Sequence, residues 1–187
     1  MEIIGAIFTG MRTLAGAIFP PLKKKYFDQP KVYLTFKRQS SAKKPSLSAK
    51  NDTTQPIDLM EAIWFCELRW RYKLTLLNNS EHHAYNIRLL EPLQEHHFLL
   101  DPKIDRLKPL LSNTETDYEA IFNDIFEGKG REANEIIQRH PFFLTNNRYV
   151  LEYTNVKGKK FYTIFDASKS EELRNEFVRK YYPEKKD

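Results

Sequence analysis

Two histidine doublets, His82-His83 and His96-His97, each follow a glutamate, Glu81 and Glu95. Imidazole beside carboxylate is an ordinary ligand set for a transition metal. Successive residues on a strand point to opposite faces, however, so a doublet lends at most one ring to a shared site. Neither doublet has an established ligand spacing, and solvated loop histidines with no bound metal are the expectation. Cys66 stands between Trp64 and Leu68 on an alternating apolar face, which marks it as a packing residue. As the only cysteine of the chain it can form neither an intramolecular disulfide nor a cysteine-based metal cluster. Gly128-Lys129-Gly130 lacks the longer glycine frame that cradles phosphate and reads as a helix-to-helix turn. Asp101, Asp105, Asp117 and Asp124 lack calcium-loop spacing. Asn51-Asp52-Thr53 and Asn78-Asn79-Ser80 match the glycosylation sequon, a short pattern that also arises by chance. No nucleophile, base and charge stabiliser assemble from these spacings, so the chain is expected to be non-enzymatic and to use no cofactor.

The remaining chemistry is that of surfaces, and it begins at the N-terminus. Residues 3–19 form an apolar run closed by Pro20-Pro21 and followed by Lys23, Lys24 and Lys25. On a helix, Ile3, Ile4, Ile7, Phe8, Met11, Leu14, Ala15, Ile18 and Phe19 gather into an arc of about 160°. A cleaved signal peptide wants positive charge before the apolar stretch, whereas here Glu2 precedes it and the lysines follow. A spanning helix is short, since the run covers about 26 Å against a hydrocarbon core of about 30 Å. An interfacial helix accounts for the wide apolar face but not for a polar side so poor in lysine. Gly5, Thr9, Thr13 and Ala17 recur at four-residue spacing, with Gly10 and Gly16 nearby, the small-residue pattern that lets helices approach closely in a bilayer. Such association would shield Arg12 from lipid. Residues 1–22 are therefore expected to be a membrane-associated helix, spanning or interfacial, that can self-associate. Packing of the same face onto the folded domain is the alternative.

Charge supports the membrane reading. The chain carries +5 overall, but residues 1–50 hold ten Lys and Arg against Glu2 and Asp28, which leaves residues 51–187 at −3. A nucleic-acid binder needs its basic surface on the folded domain, so nucleic acid is not the expected partner. A basic juxtamembrane segment, residues 23–30, suits anionic lipid, with Lys23, Lys24 and Lys25 as its contacts. If the helix spans, those lysines place the folded part on the cytoplasmic side.

The elements that follow are mainly β. Val32, Leu34 and Phe36 alternate with polar neighbours over 31–36, whereas residues 37–56 are polar without periodicity and read as a flexible loop. From Ala62 to Leu76 every even position is apolar or small, which predicts one long half-buried strand or two joined through a bulge. Asn78-Asn79-Ser80 supplies a turn, and Tyr85, Ile87 and Leu89 resume the alternation. A further strand is expected at 96–100. Tyr118, Ile121, Phe122, Ile125 and Phe126 share one helical face, and with a second short helix at 132–138 they predict a helical insertion over 116–139. Residues 149–154 and 159–165 predict a hairpin, with Gly158 where positive φ is needed. Leu173, Phe177 and Tyr181 predict a C-terminal helix over 169–182.

Trp70 to Ser80, followed by Ala84-Tyr85-Asn86-Ile87, resembles the strand-turn-strand of membrane-anchored bacterial immunoglobulin-like modules, in which an aromatic-rich strand runs into an Asn-Ser turn. Tyr149 to Asn155 would supply closing strands. The resemblance covers about a third of the chain and lacks the paired cysteines of true immunoglobulin domains. It implies an immunoglobulin-like β-sandwich that serves as a binding scaffold, and a small β-barrel stays open beside it. The expected function is a membrane-anchored, non-enzymatic interaction protein with a cytoplasmic β-rich domain, residues 31–187, that binds a protein or small ligand. A membrane-disrupting effector of the bacterial defence type is the alternative: its domain senses a ligand and its N-terminal helices form an oligomer in the bilayer.

Overall fold

The computed structural model describes residues 29–51, 58, 59, 61–92 and 97–182. The helix expected over 1–22, Lys23 to Lys25 and His96 lie outside the described residues, and no helix within them is long and apolar enough to cross a membrane.

The alternation from residue 62 onward produces one unbroken strand, β2 (Ile63–Asn78), whose Cys66, Leu68, Trp70, Tyr72, Leu74 and Leu76 are buried while Glu67, Arg69 and Arg71 face solvent. Its first partner is β1 (Val32–Leu47), antiparallel from Val32 opposite Asn78 to Leu47 opposite Trp64. The loop expected over 37–56 is thus a strand for half its length. Backbone pairing to β2 holds residues 40–47 extended although their side chains are almost all solvated, so no apolar period announces them. Lys43, Lys44 and Pro45 sit on this outer edge, where lysine and proline discourage further strand addition. A bulge between Arg38 and Ser40 shifts the register.

On the other side of β2 lies β5 (Thr114–Lys129), paired along its whole length from Thr114 opposite Asn78 to Lys129 opposite Ile63. This overturns the helix expected at 116–126. Ala120 and Phe122 point into the core, whereas Ile125 is 65% exposed, so the isoleucines that complete a helical stripe lie on the outer face of the sheet. The short helices α1 (Gly130–Gln138) and α2 (Phe142–Thr145) follow, and Gly128 to Gly130 join a strand to a helix rather than two helices. With β4 (Phe98–Asp101) on the far edge, the first sheet has the order β1-β2-β5-β4.

The second sheet, β3-β6-β7-β8, is built from β3 (Tyr85–Glu91), the hairpin β6 (Arg148–Thr154) and β7 (Lys160–Asp166), and β8 (Asn175–Val178). β8 and a 3-10 turn (Glu171–Leu173) stand where the C-terminal helix was expected. Tertiary partners decide this. The Asn175 side-chain amide donates to the Leu34 carbonyl and its oxygen accepts from the Leu34 N–H, both at 2.9 Å, while Phe177 meets Tyr33 edge-on at 4.7 Å. Among the described residues the strands form two separate antiparallel sheets, so the architecture is a β-sandwich and not a closed barrel.

The core is aromatic. Phe36 lies 5.0 Å from Tyr149, 5.2 Å from Phe165 and 6.1 Å from Phe122, which joins the two sheets at their centre. Full burial of a phenylalanine such as Phe122, which has no exposure, contributes about 1.5–3 kcal/mol. Cys66 is buried among these packing residues. The long strands of the first sheet outreach the shorter second sheet, and α1 covers the excess with Ala133 and Ile137.

Candidate ligand site at the loop end of the sandwich

Asn78, the last residue of β2, is fully buried and organises the turn that follows. Its side-chain N–H groups donate to the carbonyls of His82 at 2.8 Å, Leu111 at 3.0 Å and Leu110 at 3.2 Å, while its oxygen accepts from the Ser80 hydroxyl at 2.7 Å. Ala84 and Leu110 exchange backbone hydrogen bonds of 2.9 Å. The β2–β3 turn and the β4–β5 connection are thereby one unit. The sequon match at Asn78 is spent on these internal bonds, and a glycan has no access to it in the fold.

The β6–β7 loop is held as firmly by Asn155, whose side-chain oxygen accepts from the N–H groups of Lys157 and Lys159, each at 3.0 Å. Gly158 has φ +72°, the left-handed value expected of it, which an L side chain rarely tolerates. Lys159 lies 5.9 Å above the Phe161 ring, and Phe161 stacks on Tyr153.

Between the two turns lies a cavity of about 570 Å³, bounded by the 81–83 turn, Tyr85, the 155–159 loop, Phe161, Arg179 and Gln29. Its described lining residues include Lys157, Lys159 and Arg179 and one carboxylate, Glu81. His83 Nδ1 accepts from the Ser112 N–H at 2.9 Å, which leaves Nε2 as the ring's available donor when it is neutral. Two aromatic rings, the Lys157 and Lys159 ammonium groups and a histidine donor are the groups that can hold a negatively charged ligand with an apolar portion.

His83 and His97 do not converge. His97 stacks on Phe143 at 5.7 Å, beside α2 at the opposite end of β6, and its ring nitrogen binds the Asn123 carbonyl. Among the described residues no group of three His, Cys, Asp or Glu is placed to hold a metal ion. Of the surface residues singled out in the sequence, Ile3, Ile4, Ile7, Phe8, Met11, Leu14, Ile18 and Phe19, the association face Gly5, Thr9, Arg12, Thr13 and Gly16, and Lys23 to Lys25 all lie outside the described residues. Lys157, Lys159, Arg179 and Phe161 were not legible as a site, since β6, β7 and β8 must fold before residues 81–83, 155–161 and 179 meet. The available signal was two lysines flanking a hairpin glycine.

No protein-family model matches the chain, and no curated protein matches it.

Proposed function

We propose that the protein is a membrane-attached, non-enzymatic binding module: residues 1–22 tether it on the cytoplasmic side of a membrane, and the loop-end cavity captures an anionic ligand. The observation that carries this reading is the convergence of Lys157, Lys159 and His83 with Tyr85 and Phe161 around one cavity, beside Gln29, which lies near the end of the basic segment.

The sandwich is read as immunoglobulin-like. The order β1-β2-β5-β4 against β3-β6-β7 is that of the constant-type domain, with β8 added at one edge. Tyr149, second residue of β6, donates from its hydroxyl to the Phe143 carbonyl at 3.2 Å, six residues upstream, in the manner of the tyrosine corner of that fold. In that scheme the β2–β3 and β6–β7 connections are the ones that carry recognition loops, and both line the cavity.

Fractionation of cells expressing the 187-residue chain tests the tether. It should stay with membranes through low and high salt, and Ile7→Glu with Leu14→Glu should release it; wild-type protein in the soluble fraction at both salts sinks the reading. For the site, Lys157→Glu with Lys159→Glu should abolish calorimetric binding of inorganic phosphate, and phosphate heats that the double variant leaves unchanged count against the cavity.

A further inference from the structure

The loop end displays two apolar side chains of unusual exposure: Leu107 is 90% and Val156 78% accessible. They belong to different loops, yet both line one surface depression with Pro109 and Arg106. That depression shares Tyr85, Asn155 and Val156 with the cationic cavity, so the apolar tips and the cations form a continuous face. Water solvates cations well and apolar tips badly, and the two together on rigid turns match a surface that is anionic outside and hydrocarbon beneath. The rigidity is visible in Asn78, Asn155 and the Ala84–Leu110 bridge.

Chain length places such a surface within reach. Gln29 borders the cavity, and only three residues separate it from Lys25, a distance of at most about 14 Å even fully extended. A bilayer engaged by Lys23 to Lys25 therefore lies beside this end of the sandwich and not the α2 end.

We propose that the loop end docks directly onto an anionic bilayer, Leu107 and Val156 entering the headgroup–acyl boundary while Arg106, Lys157 and Lys159 take lipid phosphates. The anion of the cavity is thus a lipid headgroup, an assignment that rests on the membrane-attached reading above. Each cation near such a surface raises partitioning about fivefold, so the double lysine reversal, which replaces attraction by repulsion, removes far more than one such factor.

The test uses the 187-residue chain with an environment-sensitive fluorophore on Leu107→Cys, Val156→Cys or, as a control at the other end, Phe142→Cys, which replaces a side chain 72% exposed. Cys66 is buried and stays unlabelled. On phosphatidylcholine vesicles containing phosphatidylserine and an acyl-chain quencher, the labels at 107 and 156 should shift to the blue and be quenched, and the label at 142 should do neither. Lys157→Glu with Lys159→Glu should return the first two to the control value while the protein still sediments with vesicles. Sedimentation with all three labels alike overturns the docking and leaves the tether standing. Failure to sediment overturns both. Inorganic phosphate bound in the cavity of vesicle-bound protein, with the 107 and 156 labels in water, assigns the site to a soluble anion and overturns the docking.

Discussion

Arg38 shows how a charged residue at an inward position is satisfied. It follows Val32, Leu34 and Phe36 on the inner face of β1, opposite Tyr72 and just before the bulge, and its guanidinium donates to the carbonyls of Ile137 at 2.5 Å, Gln138 at 2.7 Å and Arg139 at 3.3 Å, while Trp70 Nε1 adds bonds to Ile137 and Arg139. These are the carbonyls that the end of α1 leaves without intrahelical partners, at the negative pole of the helix. Arg38→Ala is expected to cost about 2–3 kcal/mol by urea denaturation, since charged hydrogen bonds contribute about 1.5–3 kcal/mol. Arg38→Lys should restore only part, because an ammonium lacks the planar fork. Glu152 makes a second prediction. It is 5% exposed on β6; burial pushes its carboxyl upward, but hydrogen bonds from Tyr162, Lys160 and Arg88 prevail and hold it below the usual glutamate range. A depressed folded value means that its stabilisation is full above the unfolded value of about 4.3 and fades as pH falls through the folded one. Glu152→Gln should therefore be less stable than wild type at neutral pH, and the gap in urea midpoints should close below about pH 4. A gap independent of pH would contradict the assignment.

At the scale of elements, β5 is the instructive case. Thr116, Tyr118, Ala120 and Phe122 face inward and alternate with Glu115, Asp117, Glu119 and Ile121, yet the isoleucines also complete a helical stripe. β2 decides between the two periods, because it offers sixteen paired residues and a matching charge pattern. Lys73 meets Asp117 at 2.9 Å and Arg71 meets Glu119 at 3.5 Å across the outer face. The strand makes opposite predictions from the helix for two substitutions. Ile125→Lys should change stability by less than about 0.5 kcal/mol, as for other exposed sites, whereas Ala120→Lys, at a position with no exposure, should cost more than about 4 kcal/mol or prevent folding. Thermal melts of the two variants check this, and the reverse order would restore the helix.

For the whole molecule, the two sheets are locked by polar contacts at one edge as well as by the aromatic core. Thr163 donates from its hydroxyl to the Val32 carbonyl at 2.7 Å, and Asn175 pairs with both backbone groups of Leu34 in place of a neighbouring strand. Asn175→Ala strips those partners from a buried segment of β1 and should cost about 1–3 kcal/mol. Hydrogen exchange at the Leu34 amide should accelerate more than at Leu74, which lies mid-strand in β2; equal acceleration would assign the loss to global stability alone. The same lock fixes the start of β1, and with it Gln29, at the loop end where the cations collect.

The sequence by itself determined whatever a local period can encode. β2 and the β6–β7 hairpin with Gly158 follow from alternation and turn chemistry, because a strand with one buried face must write that face at every second residue. The packing role of Cys66 was readable on the same ground. Tertiary structure decided where two periods competed or none existed. The polar half of β1 is a strand only because β2 pairs with it, and β5 only because sixteen ladder partners outweigh a helical stripe. β8 forms because Asn175 and Phe177 find Leu34 and Tyr33 more than 140 residues away. The loop-end site belongs to this second kind: its cations and rings come from residues 83–85, 157–161 and 179, whose meeting depends on the order of strands in two sheets, and no local pattern records that order.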